Sequence, residues 1–397
     1  MKKILSLVLA LLMLAVMLPV TAMADEANYC TIEGVEGKFD TLTAAAKAWR
    51  ESKQIVTEGS TLGGHPAELT EVESIVWNIY GTVPAGDGAG VIGTSGSILS
   101  GGYITPSITI KNVTVNGYNN AIITKTGDPY VSCGANNVAF ANITFADTMR
   151  NDSNPGSLTF TNCTFKADLR MPHAGANSTL KVENCTFTGE VASDYAIFVQ
   201  GPNGGTMSNV VLSGNNISGY RRGVNVQAGS TATVSITGNT ITNLTGYTEN
   251  DQTYGAAIQL TTGGEFIITN NKIDVNTGNA FRFYSGLDAD VTISDNIIKA
   301  PYLVWNQAEL PNEKITSQDN KLTITNPNKA ATSDGALEDA TVIKAAPTQI
   351  VIITPAGDTP KTEPEKNPTT GANDMVAAAA ALMAVSALGM AVLSRKK

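Results

Sequence analysis

Apolar and polar residues alternate through much of residues 108–322, a pattern typical of β-strands with one buried face. Eight segments share this alternation, and an asparagine interrupts each one. Asparagine tolerates the left-handed backbone conformation, so we expect it to turn the chain between two short strands. The segments are ITIKNVTV (108–115), VAFANITF (138–145), LTFTNCTF (158–165), LKVENCTF (180–187), VVLSGNNI (210–217), VSITGNTI (234–241), FIITNNKI (266–273) and VTISDNII (291–298). In the last four the asparagine stands one place later, and a weaker ninth segment, ITSQDNKL, occupies 315–322.

The segments recur every 20–32 residues, and a third apolar stretch follows many of them. Three short strands in each repeat predict a parallel β-helix, in which stacked coils bury a continuous inner column. A β-sandwich is the alternative, but it does not explain asparagine at one phase of each copy. The third stretches are AIFVQ (196–200), GVNVQ (223–227), AAIQL (256–260), AFRFY (280–284) and YLVW (302–305).

Over roughly residues 35–325 the chain resembles the right-handed parallel β-helix family, which includes pectate lyases, polygalacturonases and many bacterial surface proteins. The resemblance implies an all-β fold, a right-handed parallel β-helix solenoid. It does not decide activity, since binders and enzymes share this scaffold. We assign residues 108–325 to the regular repeats.

Residues 1–24 have the features of a secretion signal, with Lys2 and Lys3 before an apolar run and a small-residue cleavage site that ends at Ala24. A permanent membrane helix is the alternative. Residues 25–107 are predicted to hold a short capping helix within 37–52, with Asp40 as its N-cap. The early coils follow, with strands expected at 74–83 and 90–99. The buried side of the capping helix is formed by Leu42, Ala45, Ala46 and Trp49.

The C-terminal part changes composition. Residues 326–366 form a Pro/Thr-rich spacer with an edge strand expected at 349–354. In residues 367–397 a polar pentapeptide precedes an apolar span (375–393) and a basic tail, an order that resembles the Leu-Pro-x-Thr-Gly sorting signal of Gram-positive wall proteins. The span is long enough for a transmembrane helix. The pentapeptide is Asn367, Pro368, Thr369, Thr370 and Gly371.

This resemblance implies that a sortase cuts between Thr370 and Gly371 and joins Thr370 to peptidoglycan. A plain C-terminal membrane anchor is the alternative, and in both cases the β-helix faces outward. The chain has 35 acidic and 26 basic residues, a net charge of −9, which argues against nucleic acid or an anionic lipid surface as partner. We therefore expect membrane contact only through the C-terminal span.

The four cysteines include Cys163 and Cys185, which hold the same phase in successive segments, where Val113 and Ile143 stand in neighbouring copies. We expect both to point inward as free buried thiols, with a disulfide as the alternative. No cysteine or histidine spacing predicts a metal site, and no cofactor is expected.

Catalytic patterns are scarce. There are two histidines, no serine in a nucleophile-elbow context, and no convincing pair of strand-face carboxyls of the kind that glycosidases use. The best candidates for a catalytic or calcium site are Glu249 and Asp251, in the long loop 243–254, with Arg222 or Arg282. A solvated loop is the alternative.

The third strands predict a different kind of site. If their apolar residues point inward, alternation brings polar and aromatic side chains outward in steps of about 4.8 Å. Aromatic rings stack on sugars, and amides and guanidinium groups bind hydroxyls and carboxylates, so this face suits a linear glycan. An ordinary solvated sheet face is the alternative. One row contains Arg170, Phe198, Asn225, Gln259 and Arg282, and the next contains Gln200, Gln227, Thr261 and Tyr284.

The sequence thus predicts a secreted, wall-anchored surface protein. Its partners would be a sortase, peptidoglycan and an extracellular glycan or host surface. Non-catalytic adhesion or glycan binding is the leading hypothesis, a polysaccharide lyase or glycoside hydrolase is the alternative, and a purely structural wall protein is a third.

Overall fold

The computed structural model describes residues 28–58, 61–86, 108–124, 136–151, 156–172, 179–191, 194–200, 209–249, 252–325 and 349–352. They all belong to one compact unit, residues 1–353. The predicted signal, most of the spacer and the sorting segment lie outside the described residues, as does the strand expected at 90–99. Within the described part of the chain, no helix combines the length and apolar character that crossing a membrane requires.

The N-terminal part contains the helix α1 (Leu42–Ser52), whose four predicted apolar residues are buried. Its N-cap is Thr41, whose Oγ1 accepts a hydrogen bond from the Ala44 N–H at 3.0 Å, so the prediction of Asp40 is wrong by one residue. The same part of the chain contains β1 (Tyr29–Ile32), the hairpin of β2 (Val56–Glu58) and β3 (Thr61–Gly64), and two long strands, β4 (Glu71–Pro84) and β5 (Thr109–Thr124). Strand β4 contains the predicted strand at 74–83.

From residue 137 onward each coil opens with two short strands, as the alternation predicts. The first strands are β6 (Asn137–Ala141), β9 (Ser157–Thr161), β12 (Thr179–Glu183), β15 (Asn209–Ser213), β18 (Thr233–Thr237), β23 (Glu265–Thr269), β26 (Asp290–Ser294) and β29 (Ile315–Gln318). The second strands are β7 (Thr144–Phe145), β10 (Thr164–Phe165), β13 (Thr186–Phe187), β16 (Asn216–Ser218), β19 (Thr240–Thr242), β24 (Lys272–Asp274), β27 (Ile297–Ala300) and β30 (Lys321–Ile324).

A third strand completes most coils and forms a separate seven-stranded parallel sheet, here called the third sheet. Its strands are β8 (Met149–Asn151), β11 (Leu169–Pro172), β14 (Tyr195–Gln200), β17 (Arg222–Gln227), β22 (Ala256–Thr262), β25 (Asn279–Phe283) and β28 (Tyr302–Asn306). The other elements are the hairpin β20 (Tyr247–Glu249) and β21 (Gln252–Tyr254), the 3₁₀ turn Asn312–Lys314, and β31 (Gln349–Ile352), which pairs parallel with β30 close to its predicted position.

Successive coils stack in parallel and in register, which confirms the β-helix. The inward row of the first strands runs upward from Phe140, and all of its members are at most 1 % exposed. The stacked coils therefore bury a continuous apolar column, as a solenoid requires. The row consists of Phe140, Phe160, Val182, Leu212, Ile236, Ile268 and Ile293.

The first segment is out of phase with the others. Strand β5 pairs Val113 with Val138 and Val115 with Phe140, five residues away from the alignment of ITIKNVTV. Asn112 therefore lies within a strand, opposite Asn137, and does not turn the chain. The assignment of Val113 to the cysteine phase is also wrong. The prediction from the repeat pattern fails here because β5 is one continuous strand through the region where the other coils turn.

The turn between the first two strands of a coil always contains one residue in the left-handed region. In three coils that residue is the predicted asparagine: Asn142, Asn162 or Asn184. In the five later coils it is the residue before the aligned asparagine: Gly214, Gly238, Asn270, Asp295 or Asp319. The aligned asparagine itself points inward and is buried, so the prediction that it makes the turn is wrong for these coils.

Cys163 and Cys185 are free and buried, as predicted, and so is Cys30. Burial raises the pKa of Cys30 to about 12. A hydrogen bond with the Cys163 thiol, together with burial, raises the pKa of Cys185 well above its usual value. Because thiolates are the reactive form, Cys30 and Cys185 are unreactive thiols that fill the core.

Candidate functional site

The third sheet brings the predicted outward row into register. Neighbouring strands pair Arg170 with Phe198, Phe198 with Asn225, and Asn225 with Gln259. Gln259 then pairs with Arg282, which pairs with Trp305. The row therefore exists as the alternation predicts.

The middle of that row is closed to solvent. Asn225 and Gln259 are only 5 % and 4 % exposed. The Thr261 hydroxyl donates to Asn225 Oδ1 at 2.8 Å, and the Tyr195 hydroxyl donates to Gln259 Oε1 at 3.0 Å. Buried amides are normally satisfied in this way, so these two residues hold the sheet surface together and are not open for a ligand. The expectation of one continuous accessible strip is wrong at this point.

The next row also departs from prediction. Gln200 pairs with Gln227 as expected, but a register shift after Val226 pairs Gln227 with Thr262 in place of Thr261. The shift turns Thr261 toward Asn225, and a bulge of this kind cannot be read from simple alternation.

At the upper end, Arg282 lies within an aromatic and amide cluster. Its guanidinium carbon is 4.0 Å from the Trp305 ring centroid and 5.0 Å from that of Tyr284. Its Nε donates to Gln307 Oε1 at 2.9 Å. These contacts fix Arg282 on the sheet, and Tyr284 remains 40 % exposed beside it.

At the lower end the face opens into a cleft of about 270 Å³, here called the lower cleft. Two aromatic rings form part of its wall, since Tyr195 and Phe198 stack with centroids 5.6 Å apart. Tyr195 is held in place at both ends, by its hydroxyl on Gln259 and by the Arg222 guanidinium 4.0 Å from its ring centroid. The lining residues are Asp168, Arg170, Asp194, Tyr195 and Phe198.

Both carboxylates of the lower cleft are paired with arginines. Asp168 is buried and accepts hydrogen bonds from the Thr148 hydroxyl and from Arg170 Nε, the latter at 2.9 Å. Asp194 accepts from Arg222 Nε at 2.9 Å. Charge is therefore balanced within the cleft, while the side chain of Arg170 remains 48 % exposed.

Asp168 and Asp194 were not among the predicted site residues. Each stands directly before a third strand, Asp168 before β11 and Asp194 before β14. An aspartate at that place in two successive coils is the signal that could have identified them. Arg222 was predicted, but as a partner of Glu249 and Asp251, whereas the structure places it on Asp194.

The predicted loop at 243–254 forms the β20–β21 hairpin. Glu249 lies at the end of β20, and Asp251 lies outside the described residues. Among the residues that the structure describes, no group of three or more His, Cys, Asp or Glu side chains is arranged to hold a metal ion.

A family model for a right-handed β-helix region matches residues 148–326, somewhat less than half of the chain. No match was found among curated proteins or among solved structures. The family match and the stacked parallel strands agree on the architecture, a β-helix protein, and this architecture serves both adhesive and enzymatic proteins.

Proposed function

We propose that this protein binds a glycan at the lower cleft without cleaving it. The observation that carries the proposal is the placement of Phe198 and Arg170 side by side on the rigid third sheet. A half-buried ring offers an apolar surface to the C–H face of a sugar, and the exposed guanidinium donates hydrogen bonds to hydroxyls or a carboxylate.

The state of the two carboxylates supports binding over catalysis. A glycosidase needs carboxyl groups that can reach the scissile bond. Asp168 and Asp194 each accept hydrogen bonds from an arginine, so both carboxylates already have partners within the chain. The alternative function, a lyase or glycoside hydrolase, would need one of them to leave its arginine when substrate binds.

Titration calorimetry of the full chain against the hits of a glycan array, run with and without calcium, tests this proposal. We expect Phe198→Ala and Arg170→Ala each to weaken binding about tenfold or more, corresponding to about 1.4 kcal/mol or more. Tyr284→Ala is the matched control, because it removes an exposed ring from the other end of the same sheet. Binding should survive in that variant, and no cleavage product should accumulate with any hit.

Two results would contradict the proposal. Product formation would favour the enzyme, and loss of product in Asp168→Asn or Asp194→Asn would then assign the catalytic carboxyl. Equal affinity in wild type and Phe198→Ala would move the site away from the lower cleft.

We further propose that the protein is secreted and displayed on a Gram-positive cell wall. Support comes from the sequence: the leader that ends at Ala24, and the pentapeptide 367–371 before an apolar span and basic tail. A sortase would join Thr370 to peptidoglycan, and the unprocessed chain would stay in the membrane through residues 375–393.

Cell fractionation tests the anchoring. Thr370→Ala should abolish covalent linkage, so that the protein leaves the wall digest and appears with membranes or in the medium. Thr369→Ala is the matched control, since position 369 is variable in the signal that this segment resembles. Persistence of Thr370→Ala in the wall fraction would refute a sortase mechanism at this site.

A further inference from the structure

Three tyrosines stack on the outer surface of the N-terminal part, on the large sheet and not on the third sheet. The ring centroids of Tyr29 and Tyr80 are 4.7 Å apart, and those of Tyr80 and Tyr118 are 5.1 Å apart. They occupy paired positions on β1, β4 and β5, so their spacing follows the strand spacing. We call this set the tyrosine stack.

The two ends of the tyrosine stack differ. At one end the Lys38 ammonium lies 4.3 Å from the Tyr29 ring centroid, a cation–π contact. At the other end Tyr118 is 45 % exposed although Tyr80 covers one of its faces. Among the side chains whose burial the structure describes, Tyr118 and Tyr284 are the two aromatic ones that are exposed to this degree.

An irregularity in β5 follows that exposed ring and contains two exposed asparagines. The pairing of β4 with β5 passes from Tyr80–Tyr118 to Thr82–Ile122, so β5 carries two extra residues at this point. Asn119 and Asn120 are both exposed and both left-handed, with φ of 54° and 57°. On the same outer face, Asn78 lies two residues before Tyr80 and Asn116 two residues before Tyr118. These two asparagines pair with each other and are half-buried.

We propose that the tyrosine stack is a second carbohydrate-binding site, which takes a neutral sugar ring against Tyr118. A single exposed ring with carboxamides around it matches a pyranose, whose C–H face is apolar and whose hydroxyls both donate and accept hydrogen bonds. Carboxamides also do both, whereas the lower cleft presents charged groups. The net charge of −9 disfavours a phosphate-bearing ligand that could also stack on the ring.

The inference does not depend on the lower cleft. The tyrosine stack belongs to β1, β4 and β5, and the lower cleft belongs to the third sheet. The experiment therefore starts from full-length Phe198→Ala, in which binding at the lower cleft is impaired, and uses cellohexaose, chitohexaose and mannohexaose as probes.

Calorimetry should detect binding of at least one of these probes to Phe198→Ala at up to millimolar concentration. Adding Tyr118→Ala should weaken that binding about tenfold or more, whereas adding Tyr118→Phe should retain it within a few-fold, since the ring is kept. The matched control is Phe198→Ala with Tyr284→Ala, which should bind as Phe198→Ala does. Ring-current shifts of sugar C–H protons in NMR spectra should vanish with Tyr118→Ala only.

Either of two outcomes would overturn the inference. One is the absence of heat and of shifted sugar protons with all three probes. The other is unchanged affinity in the Tyr118→Ala background. Circular dichroism separates loss of the ring from misfolding. Tyr118→Phe keeps the packing against Tyr80, so its spectrum should be unchanged, whereas a misfolded Tyr118→Ala would show an altered spectrum.

Discussion

The lower coils, residues 137–200, and the upper coils, residues 209–324, make the same backbone turn but fill its inner side differently. After the left-handed residue, the lower coils point Ile143, Cys163 and Cys185 inward. Thr186 pairs with Asn216, so the residues one place earlier, Cys185 and Asn215, belong to the same inward column. In the upper coils this column consists of asparagines. Its upper members are Asn215, Asn239, Asn271, Asn296 and Asn320, all at most 2 % exposed.

In the upper coils this column is a hydrogen-bonded ladder. Asn239 Oδ1 accepts from the Asn215 backbone N–H and from Asn215 Nδ2, both at 2.9 Å, while Asn239 Nδ2 donates to the Leu212 carbonyl at 2.8 Å. The same contacts recur from coil to coil up to Asn320. Each amide thus satisfies backbone groups of the coil below, which makes burial of a polar side chain favourable.

The lower coils show a weak form of the same contact. Cys163 Sγ lies 3.7 Å from the Phe140 carbonyl and Cys185 Sγ 3.6 Å from the Phe160 carbonyl, the positions where the ladder places an amide nitrogen. A thiol is a weak donor and offers little as an acceptor.

Aromatic packing contributes more to the stability of the lower coils than these sulfur contacts do. Phe140 and Phe160 stack at 5.1 Å, and Phe165 stacks with Phe145 at 5.0 Å and with Phe187 at 4.5 Å. The comparison indicates that one coil geometry is stabilised by aromatic packing below and by an amide ladder above.

The largest expected effect comes from breaking the ladder at its centre. Asn239→Leu should lower the free energy of unfolding by on the order of 3–5 kcal/mol, because two or more buried partners lose hydrogen bonds at about 1–3 kcal/mol each. Denaturant unfolding measures the change, and amide hydrogen exchange should show that protection falls first in the upper coils.

Gly238→Asn is the matched control for that experiment. Position 238 is the left-handed residue of the turn, with φ of 66°, and the lower coils have asparagine at the equivalent position. Its stability should therefore stay within about 0.5 kcal/mol of wild type. A large loss in Gly238→Asn together with a small one in Asn239→Leu would show that the turn, and not the ladder, dominates.

A smaller effect is expected from extending the ladder downward. In Cys185→Asn the new amide would reach the Phe160 carbonyl below and the Asn215 side chain above, at nearly unchanged volume. We expect a gain of about 0.5–1.5 kcal/mol, the usual net contribution of a hydrogen bond. Comparison with Cys185→Ala, which should lose stability, isolates the amide from the removal of the thiol. A loss in Cys185→Asn as large as that in Cys185→Ala would mean that the lower coils cannot accept the ladder.

Most of the fold could be predicted from the sequence, because strand alternation and a repeated asparagine depend on local residue properties. The coil strands, the inward row, the buried side of α1 and the register of Arg170 with Phe198 all follow from periodicity. The phase of β5 did not, since its long unbroken strand hides the turn. The role of the asparagine that stands one place later in the upper coils could not be predicted either, because its hydrogen-bond partners lie in neighbouring coils.

The sequence by itself determined that this chain forms stacked three-stranded coils, because each short strand has one apolar face that only a neighbouring coil can bury. Tertiary structure decided which outward residues remain open. Asn225 and Gln259 have the pattern of ligand-binding amides, yet neighbouring side chains close over them. It also decided that Arg222 meets Asp194 and that Asp168 and Asp194 line one cleft, because separation along the chain carries no information on the distance between stacked coils.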